Sequence, residues 1–206
     1  MELVAFWFAS FGLIFAIIDP LGYIPVFLAM TADNTEAERR RMLLKACGTA
    51  FFALAAFTLI GSRILAFFGI SIPALQISGG LLLLSISGEM LNLFPFAKGL
   101  SEPEKDEAVR KADISIVPLA IPLLSGPASI ATVVVLSSKC GGTLDYLAIL
   151  FSVGVTLLAT YFSLSFADKI FKRIGVTGVN VVTRIMGLLL CAMAVQFIIN
   201  GWQAIR

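Results

Sequence analysis

Six apolar runs, each near the length that crosses a bilayer, constrain this chain more than any other feature. A transmembrane helix needs about 20 apolar residues, and such runs fall at roughly 3–30, 46–68, 71–93, 114–137, 144–167 and 182–203. Inside hydrocarbon every backbone N–H and C=O must find a partner within the protein, which leaves helices or a closed barrel. Runs this long and continuous read as helices. The expected fold is therefore an all-α integral membrane protein of six transmembrane helices in one membrane domain over residues 1–206. Composition agrees, with 59% of the 206 residues apolar and a mean hydropathy of +0.98, against about 45–50% apolar in a soluble domain.

Orientation follows from the cations. Twelve of the fifteen lysines and arginines fall in the connections after spans one, three and five, counting Arg184 at the mouth of span six. Arg63, Lys139 and Arg206 are the remainder. By the positive-inside rule the basic connections face the cytoplasm and both termini lie outside. Met1-Glu2-Leu3 lacks the basic start of a secretory signal, so the first run is expected to be retained. The net charge of +2 is small and no basic patch alternates with aromatics, so nucleic acid is not an expected partner. The mixed-charge stretch Ser101–Glu107 reads as a solvated linker.

Two of the runs are interrupted. Ile17-Ile18-Asp19-Pro20-Leu21-Gly22-Tyr23-Ile24-Pro25 sits in the middle of the first, and Ser125-Gly126-Pro127 in the fourth. Proline removes a backbone donor and clashes with the carbonyl four residues back. A carboxylate such as Asp19 near the bilayer centre costs roughly 2.5–3.5 kcal/mol on insertion scales. Breaks of this kind survive where protein or a watery cavity re-satisfies the freed groups. Paired interrupted spans in corresponding halves point to a transporter's binding site.

Sliding the chain on itself by 106 residues brings the two breaks into register, with Asp19 on Ser125, Pro20 on Gly126 and Leu21 on Pro127. The same offset pairs Gly48 with Gly154, Arg63-Ile64 with Lys169-Ile170, and Gly69-Ile70-Ser71 with Gly175-Val176-Thr177. Raw identity is low; the shared register of loops, glycine turns and breaks carries the argument. Each unit holds three spans, so the second copy enters the membrane upside down. The expectation is two inverted three-helix repeats, about 1–100 and about 107–206, with spans one and four broken at mid-membrane.

Asp19-Pro20 has the form of an N-cap followed by N1, as has Ser125 or Gly126 followed by Pro127. Each break would begin a half-helix whose free amides and positive dipole end attract an anion. Asp19 adds the opposite sign, and a site of both signs suits a zwitterion. A small amino acid would set its carboxylate on the Ser125–Ser129 end and its ammonium near Asp19. Pro20, Gly22, Tyr23, Pro25, Gly126, Pro127, Ala128 and Thr132 complete the candidate site. A plainer account has Pro20 and Pro127 only kinking their spans, with Asp19 capping its own helix.

Glu89 and Arg184 lie near the cytoplasmic ends of spans three and six and are read as an ion pair or a gating or coupling pair. Gln196 and Asn200, four apart, share a face suited to interhelical hydrogen bonding or ligand contact. Gln76, Ser78, Gly79 and Gly80 give span three a small face for close packing.

Several functions are set aside on residue type. The chain has no histidine, and Cys47, Cys140 and Cys191 are too widely spaced for a CxxC motif. An intramembrane aspartyl protease needs two carboxylates sharing a site, and only Asp19 lies at mid-span. No enzyme, cofactor or metal is expected. No GxxxxGK[ST] phosphate loop occurs, so coupling falls to a proton, a cation or the substrate gradient. A passive channel and a non-transporting membrane scaffold are the alternatives, and a homo-oligomer is an allowed assembly.

Three stretches resemble the MarC family of six-span membrane proteins, also called the SnatA or NAAT type. They are Asp19-Pro20-Leu21-Gly22 through Ile24-Pro25-Val26-Phe27, Pro118-Leu119-Ala120-Ile121-Pro122 through Ser125-Gly126-Pro127, and Arg184-Ile185-Met186-Gly187 through Ala194-Val195-Gln196-Phe197. The resemblance implies a multi-pass protein of a prokaryotic cell membrane, near the LysE-type exporters and associated with neutral amino acid transport. The chain departs from the family at Tyr23, where members often carry Asn. It departs again at Gly126-Pro127-Ala128-Ser129, where they carry Gly-Pro-Gly-Ala. Both departures imply a smaller or differently shaped pocket.

Overall fold

A computed structural model describes residues 3–32, 34–93 and 124–205. Seven helices form among them: α1 Leu3–Ile18, α2 Ile24–Met30, α3 Glu36–Phe67, α4 Ile72–Met90, α5 Pro127–Ser137, α6 Thr143–Ser165 and α7 Ala167–Gln203. The described residues contain no strand. α3, α4, α6 and the Thr177–Gln203 part of α7 are long and apolar enough to cross a membrane, whereas α1 and α5 are shorter apolar helices. The expected linker Ser101–Glu107, the Pro118–Leu123 part of the second motif and the first half of the run 114–137 lie outside the described residues.

Two expected loops are helical. The connection 31–45 gives way at Thr35, whose hydroxyl accepts from the Glu38 N–H while the Glu38 carboxylate accepts from the Thr35 N–H. This reciprocal capping box starts α3 ten residues before the apolar run. Lys169, Lys172 and Arg173, expected in a connection, lie on the first turns of α7, and the chain kinks only at Gly175 (φ 70°, ψ 175°). Gly69, 106 residues earlier, is the other glycine with positive φ among the described residues, at 68°. There it closes α3, with the Gly69 N–H bonded to Ala66 O at 3.1 Å and the Ile70 N–H to Leu65 O at 2.9 Å. That bond pair is the Schellman arrangement, which needs a left-handed residue just past the helix.

α4 packs chiefly along α7 and runs antiparallel to it. Gly201 lies against Pro73 and Gln76, Gly80 against Ala194 and Ile198, and Gly187 against Met90 and Leu91. A Cβ on Gly80 would stand 2.8 Å from Ala194 O, so the backbones approach as closely as they do because that position carries no side chain. Ser78, expected on this seam, is exposed and bonds Leu75 O one turn back. α3 is likewise antiparallel to α6: Phe51 meets Gly154, and Arg39 at the start of α3 reaches Asp168 just past the end of α6.

The principal core joins α1, α3, α5 and α6 through Ile14, Ile18, Leu54, Val133, Ile149 and Val153. α5 is the most enclosed element, buried from Ala131 through Ser137. Phe8, Phe52, Leu81, Phe151 and Leu188 point outward, which suits a surface solvated by lipid. Four buried hydroxyls behave accordingly: Thr58, Thr132, Ser152 and Thr160 each donate to the carbonyl four residues back, at 2.7–2.8 Å. A hydroxyl bonded to its own helix costs little in hydrocarbon.

Candidate functional site

The first break is built by Asp19. Its N–H still bonds Phe15 O at 2.9 Å, closing α1, but its φ of 43° turns the chain out of the helix. Few L residues adopt the left-handed region; Asp and Asn do so most readily. The carboxylate then folds over the next turn, where Oδ1 accepts from the Gly22 N–H at 3.1 Å. A Cβ on Gly22 would collide with that carboxylate, so the pairing itself requires glycine there. Asp19 is 3% exposed and Pro20 is buried, so the charge is held inside protein.

Asp19 therefore caps only a single turn and not the half-helix expected to start at Pro20. The half-helix proper, α2, begins at Ile24 with Tyr23 at its N-cap and Pro25 within its first two positions, and no side chain caps it. It starts four residues later than the Asp19-Pro20 reading put it and is only seven residues long. The anion-attracting end expected there is correspondingly weak, because a short helix sums few peptide dipoles.

The second break matches its expected form. Gly126 is the N-cap with extended backbone (φ −64°, ψ 172°), and Pro127 opens α5. Gly126 brings no capping side chain, so the first-turn amides of Ala128 and Ser129 have no partner within the helix. Ser125, Ala128, Ser129 and Thr132 are buried, while the Pro127 ring is exposed. Thr132 already donates its proton to Ala128 O and can offer a ligand only an acceptor.

The fold brings the two breaks together. Ile17, two residues before Asp19, shares an apolar cluster with Ala128 of α5, Leu83 of α4, and Leu190 and Ala194 of α7. Ile14, Ile17 and Ile18 face Ser129, Thr132 and Val133 across a void too tight to hold a water molecule. The larger concavity, a groove of about 980 Å³ between α1, α3 and α6, is lined by Trp7, Phe8, Phe51 and Phe151 among other apolar residues. It is open and apolar and offers nothing to a charged ligand.

Tyr23 packs partly buried against the core, with Asp19 and Glu89 both within electrostatic reach of its hydroxyl. Glu89 thus belongs to the neighbourhood of the first break. Its expected ion pair with Arg184 does not form, although both residues lie where α4 and α7 meet; Arg184 is exposed. Gln196 and Asn200 correct a second expectation. Gln196 Nε2 donates to Asn200 Oδ1 at 2.7 Å along α7, on an exposed face, so the pair bridges no helices and lies outside the site. Among the described residues no cluster of acids or cysteines could hold a metal ion.

One ion pair escaped the sequence reading. Arg39 Nη1 lies 2.7 Å from Asp168 Oδ2 and joins the first and third basic stretches. Asp168 is the acid among the cations Lys169, Lys172 and Arg173, a signal hidden by counting only positive charge.

Four helices able to cross a bilayer, two shorter apolar helices and a run broken at a buried acid define a polytopic α-helical membrane protein. The chain belongs to the MarC family: the pattern of the MarC family integral membrane proteins matches residues 4–205. It is 38% identical over 189 residues to the UPF0056 membrane protein YvbG of Bacillus subtilis, which covers 91% of this chain and 90% of that one. UPF0056 membrane protein MJ1677 of Methanocaldococcus jannaschii is also 38% identical, over 95% of each chain. UPF0056 membrane protein YhcE of Escherichia coli is 33% identical over 97% of this chain and 93% of its own. No solved structure matches the chain.

Proposed function

We propose that this protein is a secondary transporter or exporter of small neutral amino acids in a prokaryotic cell membrane, working by alternating access. The observation that carries this reading is the juxtaposition of the buried Asp19 break with the uncapped start of α5. The substrate carboxylate would sit on the Ala128 and Ser129 amides, beside Ser125, and its ammonium near Asp19. Tyr23 and Glu89 lie on the Asp19 side of that arrangement, and a coupling proton or cation would have to use Asp19 or the exposed Glu89.

The chain architecture proposed with it is six spans in two inverted repeats of three. Three features support that: the breaks 106 residues apart, the positive-φ glycines at 69 and 175, and antiparallel packing between corresponding helices of the two halves. Arg39 and Arg40 meet Lys169 at one end of the molecule, which is the grouping that termini-outside topology requires. The tight void at the breaks favours a gated carrier over an open pore.

A thermal-shift screen of the twenty amino acids in detergent tests the substrate class. A ligand at a hundred times its Kd stabilises by about 2.7 kcal/mol, a rise of roughly 5–10 °C for a chain of this size. Small neutral amino acids should give that rise; none at saturation removes the zwitterion assignment.

A further inference from the structure

Arg39 makes a set of contacts unlike any other side chain described. Its Nε donates to Thr31 O at 2.9 Å and its Nη2 to Ala32 O at 3.5 Å, both carbonyls lying just beyond α2. Its Nη1 pairs with Asp168 at the head of α7. One planar guanidinium therefore ties three elements together: the short half-helix after the first break, α3, and the start of α7. A fork of fixed donors can do this and a point charge cannot. The side chain is 16% exposed, whereas Asp168 is 51% exposed.

Beside this clamp lies a cavity of about 70 Å³, bordered by Phe27, Arg40, Ser165 and Lys169. Ser165 Oγ is buried there without a hydrogen-bond partner among the described residues. A polar cavity of this size admits water. Water at hand lets an ion pair part and re-form, because each charge can be resolvated as it leaves the other.

The two ends of the molecule differ at this point. The 106-residue offset lays Arg39 on Asp145, whose Oδ2 accepts from the Gly141 N–H at 2.8 Å within its own turn. Among the described residues no ion pair forms there. Among the described residues the clamp is thus present at one end only.

We infer that Arg39 is a latch that holds the cytoplasmic end shut by binding α2 to α7, and that its release opens the molecule on that side. The inference rests on the alternating-access reading and adds to it the residue that governs one of the two gates. Arg39 acts by position and touches no substrate.

The test uses reporter cysteines in a protein whose Cys47, Cys140 and Cys191 are replaced by Ala, reconstituted in nanodiscs so that both faces meet a soluble maleimide. Ser165→Cys reports the latched end, and Ser137→Cys, buried at the far end of α5, reports the opposite one. Arg39→Gln should speed labelling at 165 about tenfold, the scale of one charge-assisted hydrogen bond lost from a closed state, with no rise at 137. Arg39→Lys, able to pair with Asp168 but not to span both carbonyls, should fall between. Unchanged labelling at 165 overturns the latch. So does an equal rise at 137, which marks general loosening. No amino acid is needed in this experiment, so its failure and a failure of the substrate assignment are read separately.

Discussion

Replacing Asp19 by asparagine separates what that residue does for the fold from the part it would play in the proposed transport. In the fold it supplies two things: a backbone that tolerates φ 43°, and an oxygen for the Gly22 N–H at 3.1 Å. Asparagine keeps both, since it shares the left-handed tolerance and retains a carbonyl oxygen at the same reach. What changes is the charge. A hydrogen bond to a neutral acceptor is roughly half as strong as one to a carboxylate, a loss of about 1 kcal/mol. Against this, Asp19 is 3% exposed, and a neutral amide is far cheaper to hold away from water. The two effects oppose, so Asp19→Asn should move the melting temperature by no more than about 4 °C. Asp19→Ala loses the acceptor and adds roughly 1–2 kcal/mol of left-handed strain, and should melt clearly lower. Counterflow in liposomes, exchanging labelled for unlabelled substrate, then reads function. The Asn variant should fold and fail to exchange. Exchange at the parental rate by a folded Asn variant would show that the charge serves no ligand, and the ammonium site at Asp19 would have to be given up.

Two further substitutions test helix contact, and one labelling experiment tests the surroundings of a thiol. Gly80→Ala should lower stability by about 1–3 kcal/mol, because its methyl meets the Ala194 carbonyl. Gly48→Ala has nothing within 4 Å and should raise stability by up to about 1 kcal/mol; the same sign for both in thermal unfolding would contradict the α4–α7 seam. Cys140, in the connection between α5 and α6, has its thiol pushed up to about 11, first by burial and then by Asp145. Little thiolate exists near neutral pH, so maleimide labelling should run roughly a hundredfold slower than for an ordinary thiol and accelerate steadily with pH. Fast labelling at pH 7 would refute that environment.

The breaks were legible because proline and glycine act locally. Asp19-Pro20 and Gly126-Pro127 carry their own backbone constraints wherever they fall, and α1 ends at Ile18 and α5 begins at Pro127 as those constraints dictate. The α3 start was legible too, through Thr35 and Glu38, but a charged stretch next to an apolar run invites the reading of a loop. α7 shows the same effect: three cations obscured a helix that bends only where Gly175 reaches positive φ. Spacing identified Gln196 and Asn200 as neighbours, yet which way that face points depends on where α4 packs. Arg39 and Asp168, 129 residues apart, meet only because α3 and α6 run antiparallel. Such contacts belong to the tertiary arrangement and leave no mark on local pattern.

The two interruptions satisfy their backbones in different ways, and the difference bears on what would bind between them. At the first, the chain brings its own acceptor, because the Asp19 carboxylate takes up the Gly22 N–H. At the second, the N-cap is a glycine and N1 a proline, so the Ala128 and Ser129 amides begin a buried helix with no side-chain acceptor at the cap. Amide donors in a low-dielectric interior hold an anion more strongly than the same donors in water. On the proposed reading a substrate carboxylate would gain those bonds at α5, whereas near Asp19 its ammonium would meet a carboxylate whose hydrogen bond is already made. The gain on binding therefore falls mainly on the anionic end of the ligand. Among zwitterions of equal size, loss of the carboxylate, as in the corresponding amine, should weaken binding more than loss of the ammonium, as in the corresponding carboxylic acid. The reverse order in competition against a labelled amino acid would move the main contact from α5 to Asp19.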